Sequence, residues 1–344
     1  MIKIHKKIIN FRYKKNFILN RIKLKKSSFS SNQFSFESHD SCPICFCKEV
    51  FLISEVDRIG FPCDTVVCKK CSFVFNNSYI KNPKEFYENH WGDERWGDPE
   101  ASFIKRSSPD AFTWKRFEFL KEKLLANFHQ IVTVLEIGCG DGCNLLPYHQ
   151  AGKKVIGCDF DSRFLEPGRK RGLNLVQGNV ESVVTQNNFD LIMLIHSFEH
   201  VVSLDKTINS ISKKTAPNGL IFIEVPGIIG WNKTRNNFST DMGLKSSNNF
   251  MNYIQFQHNY HFNLECLKNI WEMNGFEMIY GDEWVRAIFR KKSTHIKKTK
   301  VLIDKNHSYN IIEHLNIVEA DFMNFSNLFF GFLRVISRKI FGKS

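Results

Sequence analysis

Apolar residues in the middle of the chain fall into short runs separated by mixed, helix-like stretches. Ile131, Val132, Val134, Leu135 and Ile137 form the first run, whose β-branched content predicts a buried strand. Lys154 to Asp159 (KVIGCD), Leu173 to Val176, Phe189 to Ile195 (FDLIMLI) and Gly219 to Val225 (GLIFIEV) predict four more, the last entered through a Pro217-Asn218-Gly219 turn. Near-continuous apolar strands alternating with helical segments imply a parallel sheet covered on both faces. A helical stretch around Phe112 to Phe128 precedes this set. A helix from Asn263 to Asn274, capped by Asn263 and ended by Gly275, follows it. Phe276 to Tyr280 and Val285 to Lys291 supply a final antiparallel pair. Tyr309 to Phe341 repeats apolar residues at three and four, as one long amphipathic helix does.

The turns between the strands carry the first chemistry. Glu136 ends the first strand, and Gly138, Gly140 and Gly142 follow at alternate positions. Glycine permits a sharp turn and close approach of a ligand to the backbone. With a helix starting near Asn144, this is how open α/β sheets receive a nucleotide-like ligand. Asp159, seventeen residues beyond Gly142, is placed at a strand tip to bond both hydroxyls of a ribose. The fourth strand runs into His196, Glu199 and His200, three titratable groups where such a sheet opens its crevice. Histidine suits proton removal near neutrality, and a neighbouring Glu can hold its tautomer. A helix cap or a cofactor contact is the competing role for these residues.

From Val132 to Lys291 this run resembles the class I S-adenosylmethionine-dependent methyltransferases. LEIGCGDG resembles their first motif, CDFD their ribose-binding segment, GNVES their adenine-edge segment and FDLIMLIHSFEHV their fourth motif. The resemblance implies a Rossmann-like seven-stranded sheet with helices on both faces. It implies cofactor contacts from Glu136, Gly138, Cys139, Gly140, Gly142, Asp159, Phe160, Asn179, Val180 and His196. Asn179 stands where the family most often has Asp, and its amide oxygen can still accept from an adenine amino group.

Cysteine spacing adds a second unit. Cys42-Pro43-Ile44-Cys45 and Cys68-Lys69-Lys70-Cys71 are two C-x-x-C pairs separated by 22 residues. Each pair offers two thiolates from one turn, so Cys42, Cys45, Cys68 and Cys71 can close a tetrahedral structural zinc site. Buried structural thiols or a redox-active pair are the alternatives. From Ser41 to Trp91 the segment resembles the N-terminal zinc-binding module of sugar C-methyltransferases and of related enzymes from polysaccharide clusters, with Ser72 where that family usually has Gly. Those enzymes carry a further C-terminal domain for which too few residues follow Lys292 here.

Charge is uneven along the chain. The formal net charge is +13; residues 1–36 hold ten Lys/Arg and no acid, and residues 290–344 hold eleven against four acids. Subtracting 10 and 7 from 13 leaves −4 for residues 37–289. A mildly acidic body argues against a nucleic-acid groove across the active face. The basic start reads as a disordered arm, a membrane-surface helix or an organelle transit peptide; ten cysteines without a secretory signal fit the reducing cytoplasm.

The resulting organisation is a basic arm (1–38), a zinc module (39–91), and a linker with a capping helix (92–130), in which Trp91 and Trp96 wall a substrate site or pack the module. A methyltransferase domain (131–292) and a basic C-terminal segment with its helix (293–344) complete it. That helix can meet a partner subunit, an anionic membrane or the main domain. An Asn/Ser-rich substrate loop (231–262) brings His258 and His261 as further polar contacts or bases. The expected activity is methyl transfer from S-adenosylmethionine to a small-molecule acceptor, a sugar or glycan intermediate. An RNA methyltransferase and a non-catalytic scaffold are the alternatives.

Overall fold

The structure, a computed structural model, describes residues 1–5, 34–57, 61–88, 97–181, 188–229, 253–293 and 311–317. Trp91, Trp96, the substrate loop from 231 to 252, the arm from 6 to 33 and the C-terminal helix beyond 317 lie outside the described residues. Among the described residues, no helix is long and apolar enough to cross a membrane.

Fourteen strands are described: β1 (Lys3–His5), β2 (Phe36–Ser38), β3 (Glu49–Val56), β4 (Pro62–Cys68), β5 (Val74–Asn76), β6 (Ser78–Ile80), β7 (Thr133–Ile137), β8 (Lys154–Asp159), β9 (Asn174–Gln177), β10 (Phe189–Ile195), β11 (Thr215–Glu224), β12 (Tyr260–His261), β13 (Phe276–Asp282) and β14 (Arg286–Lys291). Seven form the main sheet in the order β13-β14-β11-β10-β7-β8-β9. β9, β8, β7, β10 and β11 are parallel, and β14 and β13 close the edge antiparallel. The chain leaves β7 for β8 on one side and returns to β10 on the other, which opens a crevice at the carboxyl ends of β7 and β10.

Both faces of this sheet are covered, as the unbroken apolar runs require. On one face Leu191 and Met193 of β10 meet Phe117, Leu120 and Leu124 of the helix Phe112–Leu124. On the other, Ile192 and Leu194 join a cluster with Ile208, Ile211, Leu267 and Trp271. Asp190 sets the start of β10 against β7, because its Oδ2 accepts from Val132 N, Thr133 N and Thr133 Oγ1, each at 2.9 Å. Asn263 caps its helix, Leu264–Glu272, by accepting from Cys266 N at 2.7 Å.

Local structure departs from the sequence expectation at several points. Pro217-Asn218-Gly219 is not a turn ahead of a strand but an interruption inside β11: the pairing with β10 jumps from Phe189↔Thr215 to Leu191↔Leu220, with Asn218 left-handed at φ 59°. After the glycine turn the chain makes a 3-10 turn, Cys143–Leu145, and the α-helix begins only at Leu146, where Pro147 suits a first turn. Part of the supposedly disordered arm is paired, with β1 parallel to β3.

The smaller sheet has the order β1-β3-β4-β5-β12, so its last strand comes from the far end of the chain. Its core is shared: Cys42, Val66, Cys68 and Phe73 belong to the same buried cluster as Ile221 and Trp271. Its outer face packs Ile53, Val67 and Val74 against Tyr253, Ile254, Ile311 and Leu315. The described turn of the C-terminal helix, 311–317, therefore folds back onto this sheet. Trp271 is fully buried against Phe198, Phe276 and Phe289, within the cluster to which both sheets contribute. Trp271→Ala should cost about 3–5 kcal/mol in a denaturant melt, and both sheets should unfold in one transition. Two separate transitions in the wild-type chain would show that the shared core does not couple them.

Candidate active site

The glycine turn sits where β7 ends. Gly138, Gly140 and Gly142 all adopt positive φ, at 71°, 54° and 79°. A Cβ on Gly138 would lie 2.5 Å from Ser197 Cβ, so only glycine lets the turn after β7 touch the turn after β10. Gly140 N donates to Asp159 Oδ2 at 2.8 Å, which ties the turn to the tip of β8. Asp161 N gives Asp159 a second bond, to Oδ1 at 3.2 Å. A carboxylate has about four acceptor sites, so Asp159 retains capacity for two ribose hydroxyls. Phe160 follows it and stacks on Tyr87 with ring centres 6.3 Å apart. Cys139 is turned away: its side chain is buried against Gly157, leaving only its backbone toward the crevice. Val180 is buried in the core and Asn179 lies at the surface beside it.

Two arginines reach this region from the helices ahead of β7. Arg106 Nη1 pairs with the buried Asp141 at 3.0 Å and lies 3.8 Å from where a Gly140 Cβ would be. It brings a positive charge to the glycine turn. Arg116 grips Glu224, at the end of β11, through Nε and Nη2, and Nη1 reaches Asn144 Oδ1 at 3.5 Å. Asn144 Nδ2 then donates to Glu136 Oε1 at 2.7 Å. Glu136 is wholly buried, and burial pushes its pKa up to about 8 against the help of Asn144. Among the described residues its Oε2 has no hydrogen-bond partner.

The same network continues into the stretch after β10. His196 has φ 51°, a left-handed turn that non-glycine residues rarely adopt, and its N donates to Glu224 O at 2.7 Å. Its ring lies between two carboxylates, with Nε2 3.3 Å from Glu224 and Nδ1 3.7 Å from Glu199. Burial disfavours a charge on this ring, but the two glutamates outweigh it and raise the pKa to about 9. Burial likewise opposes ionisation of Glu224, while His196 and Arg116 pull its pKa down to about 2. His196 is therefore an imidazolium near neutrality. A ring held in that state would have to give up this proton before it could serve as the expected base.

His200 is differently held. Its Nδ1 lies 2.9 Å from Gln257 O. A carbonyl can only accept, so Nδ1 carries a proton, and in a neutral ring the lone pair would sit on Nε2. Nε2 is 3.8 Å from Glu199 Oε1. His200 lines a cleft with Ile80, Pro83, Phe86, Tyr87, Gln257 and Asn259, and Tyr87 meets its ring edge-on at 5.9 Å. His258 packs against His200 with ring centres 4.8 Å apart. Ligand atoms of Glu199, His200 and His258 lie within 4.8 Å of one another. That grouping places three titratable side chains together at one end of the cleft, and by proximity alone it could also hold a cation. His261 does not reach the cleft. It is 2 % exposed, its Nε2 is 3.3 Å from Asn76 Oδ1, and burial pushes its pKa down to about 3. The pairing of β12 with β5 puts it in the seam between the sheets.

The four cysteines converge as their spacing predicts. Cys42 Sγ lies 3.6 Å from Cys71 Sγ and Cys45 Sγ 3.5 Å from Cys68 Sγ, with all four inside 4.8 Å. Zn–S bonds of about 2.3 Å at tetrahedral angles put sulfurs about 3.8 Å apart, so the cage fits zinc. The two turns are built alike. Phe46 N donates to Cys42 O and Ser72 N to Cys68 O, both at 3.0 Å, with Phe46 and Ser72 left-handed at φ 59° and 62°. Glycine adopts that conformation without strain, so Ser72 holds a backbone position for which glycine is the default.

Arg106, Arg116, Tyr87 and Glu224 carry no motif of their own and were not singled out in the sequence. Glu224 had a signal, since it ends a buried strand as Glu136 and Asp159 do. The sheet order, the glycine turn after β7 and the acid ending β8 together define the class I S-adenosylmethionine-dependent methyltransferase fold. Residues 103–280, 178 of the chain's 344, match the family described as "Methyltransferase domain", and the chain belongs to it. It is 23% identical over 240 residues to the C-methyltransferase NovU of Streptomyces niveus, covering 66% of this chain and 50% of that protein. It is 26% identical over 156 residues to a ubiquinone biosynthesis O-methyltransferase of Pelagibacter ubique, covering 41% and 64%. The chain thus spans about half to two thirds of the length of these relatives. Among solved structures, an S-adenosylmethionine-dependent methyltransferase of Listeria monocytogenes aligns over 52% of this chain and 98% of its own, with 16% identity and a TM-score of 0.39.

The charge state of His196 is directly testable. Its raised pKa adds stability that is fully present below the ordinary value of 6.5 and is lost as pH rises through about 9. The lowered pKa of Glu224 adds stability present above 4.5 and lost as pH falls through about 2. Both contributions are complete between pH 4.5 and 6.5. The gap in melting temperature between wild type and His196→Asn should be widest there and close above pH 9. NMR titration should show His196 shifting back toward 6.5 in Glu224→Gln; ordinary titration in the wild type would remove the imidazolium reading.

Proposed function

We propose that the chain transfers a methyl group from S-adenosylmethionine to a small polyhydroxylated acceptor, a sugar or glycan-biosynthesis intermediate, in the cytoplasm. A structural zinc on Cys42, Cys45, Cys68 and Cys71 would hold the smaller sheet. The observation that carries the reading is the contact of Ser197 with Gly138, because it brings the histidine-bearing turn against the cofactor turn. When bound, the cofactor supplies a methyl on a sulfonium that is already primed to leave. Asp159 takes the ribose hydroxyls, and Phe160, Asn179 and Val180 border the adenine. Arg106 offers its charge to the cofactor's carboxylate, and the unpartnered Glu136 Oε2 suits the ammonium.

On the acceptor side the lone pair of His200 Nε2 removes a proton from the attacking group, with Glu199 beside it. The imidazolium of His196 stabilises negative charge that develops there. Tyr87 gives a ring face and Gln257 an amide, a combination that suits an apolar sugar face edged with hydroxyls. The relative named as a C-methyltransferase favours carbon as the nucleophile. The relatives named as ubiquinone biosynthesis O-methyltransferases favour a second reading, with oxygen as the nucleophile. The acidic body weighs against RNA, and the intact cofactor turn weighs against a silent scaffold.

Calorimetry should find S-adenosylmethionine or S-adenosylhomocysteine bound in the low-micromolar range, about −8 kcal/mol. Gly140→Arg should abolish binding. Asp159→Ala should weaken it roughly ten- to hundredfold through lost charge-assisted bonds. Tight NAD binding without any response to the adenosyl ligands would overturn the reading. Metal analysis should give one zinc per chain, lost in Cys68→Ser. Against a panel of nucleotide sugars, His200→Asn should lower kcat by about 10²–10⁴ with cofactor affinity unchanged; a full rate would make His200 structural.

A further inference from the structure

Asn76 occupies an unusual position for a polar side chain. It is fully buried at the end of β5, five residues past Cys71, on the hairpin that carries the second cysteine pair. Its Nδ2 donates toward three backbone carbonyls, Gln255 at 3.1 Å, Phe256 at 3.3 Å and His258 at 2.9 Å. Its Oδ1 accepts from Thr65 Oγ1 at 2.8 Å and faces His261 Nε2 at 3.3 Å. Its backbone N donates to Asn259 O at 3.0 Å. One side chain thus fixes the path of the segment from 255 to 261. Buried amides are retained where every donor and acceptor is used, because an orphaned carbonyl away from water is costly.

That segment in turn fixes His200. Gln257 O, between two of the carbonyls that Asn76 holds, accepts from His200 Nδ1. Asn259 Nδ2 donates to His200 O and Val201 O, both at 3.1 Å, and Tyr260 OH donates to Val202 O at 2.8 Å. The other end of the path is the thiolate turn. Cys68 N donates to Phe73 O at 2.9 Å, and the β4–β5 register runs Val67↔Val74, Val66↔Phe75, Thr65↔Asn76. The geometry of the cysteine turn and the place of Asn76 are therefore one hairpin register.

We propose that Asn76 is a positioning residue through which the four-cysteine hairpin sets the place and tautomer of His200. The inference rests on His200 as the acceptor-side group, but it concerns the ring itself and not the transfer. The metal-bearing hairpin then acts on acceptor chemistry while leaving the cofactor turn alone, since no bond of Asn76 leads to Gly138, Gly140 or Asp159.

The test uses the full chain labelled with 15N-histidine, with His200 assigned by its loss in His200→Asn. The wild type should show a single Nδ1–H tautomer for His200. Asn76→Ala should turn it into a mixed or exchanging signal, with zinc content unchanged and S-adenosylhomocysteine affinity within about twofold. Removing zinc from the wild type by chelation should change the His200 signal in the same way. If Asn76→Ala does not fold, Thr65→Val removes one bond to Asn76 Oδ1 and should shift the His200 signal part of the way. An unchanged His200 signal in Asn76→Ala overturns the proposal, as does an unchanged signal in Thr65→Val together with the zinc-stripped chain. A change matched by equal loss of S-adenosylhomocysteine affinity also overturns it, by showing general loosening. Absent S-adenosylhomocysteine binding in the wild type would instead count against the methyltransferase reading.

Discussion

The buried carboxylate of Glu224, gripped by Arg116, faced by the half-exposed ring of His196 and linked through Asn144 to the buried Glu136, is the constraint around which the crevice is arranged. Charges withdrawn from water must be paired or they are too costly to keep. Here pairing spans five elements: β7, the turn after it, the helix Phe112–Leu124, the end of β10 and the end of β11. Arg116 can satisfy Glu224 only if its helix lies across the sheet at one angle, so the covering helix and the strand ends are located together. The same pairing decides protonation. With Glu224 and Glu199 on either side, His196 is held toward its protonated form, whereas His200 gives its Nδ1–H to a carbonyl.

The smaller sheet illustrates a second constraint. A segment of about fifty residues cannot bury enough apolar surface to stand alone. Two solutions operate at once in this chain. Four cysteines converge at the base of two like turns, and the sheet borrows β12 and the core around Trp271 from the methyltransferase domain. Borrowing has a structural consequence, since the segment that completes the small sheet is also the segment that carries Gln257, His258 and Asn259 to the cleft. Asp57 reinforces it, accepting from Phe256 N at 3.2 Å while bonding Phe61 N at 2.9 Å.

Much of the fold was legible because its determinants are local. The runs Lys154–Asp159 and Phe189–Ile195 are strands with the bounds their apolar patterns imply, and Asn263 caps the helix that its position announces. The alternating glycines and the paired cysteines are legible for the same reason, since each is a turn whose chemistry is complete within a few residues. The burial of Leu191 and Met193 on one face and Ile192 and Leu194 on the other follows from a period of two, which the letters carry.

What the sequence could not decide is which residues meet across long separations. His258 and His261 are three positions apart in one loop, yet one packs on His200 and the other is sealed in the seam, because β12 pairs with β5 some 185 residues away. Arg116 and Glu224 are 108 residues apart, and nothing near either names the other. The chain by itself determined the parallel sheet, the cofactor turn and the four-cysteine cage, all products of local pattern. Only the tertiary structure decided the charge of His196, the tautomer of His200 and the place of Asn76, because those depend on buried partners that packing alone brings together.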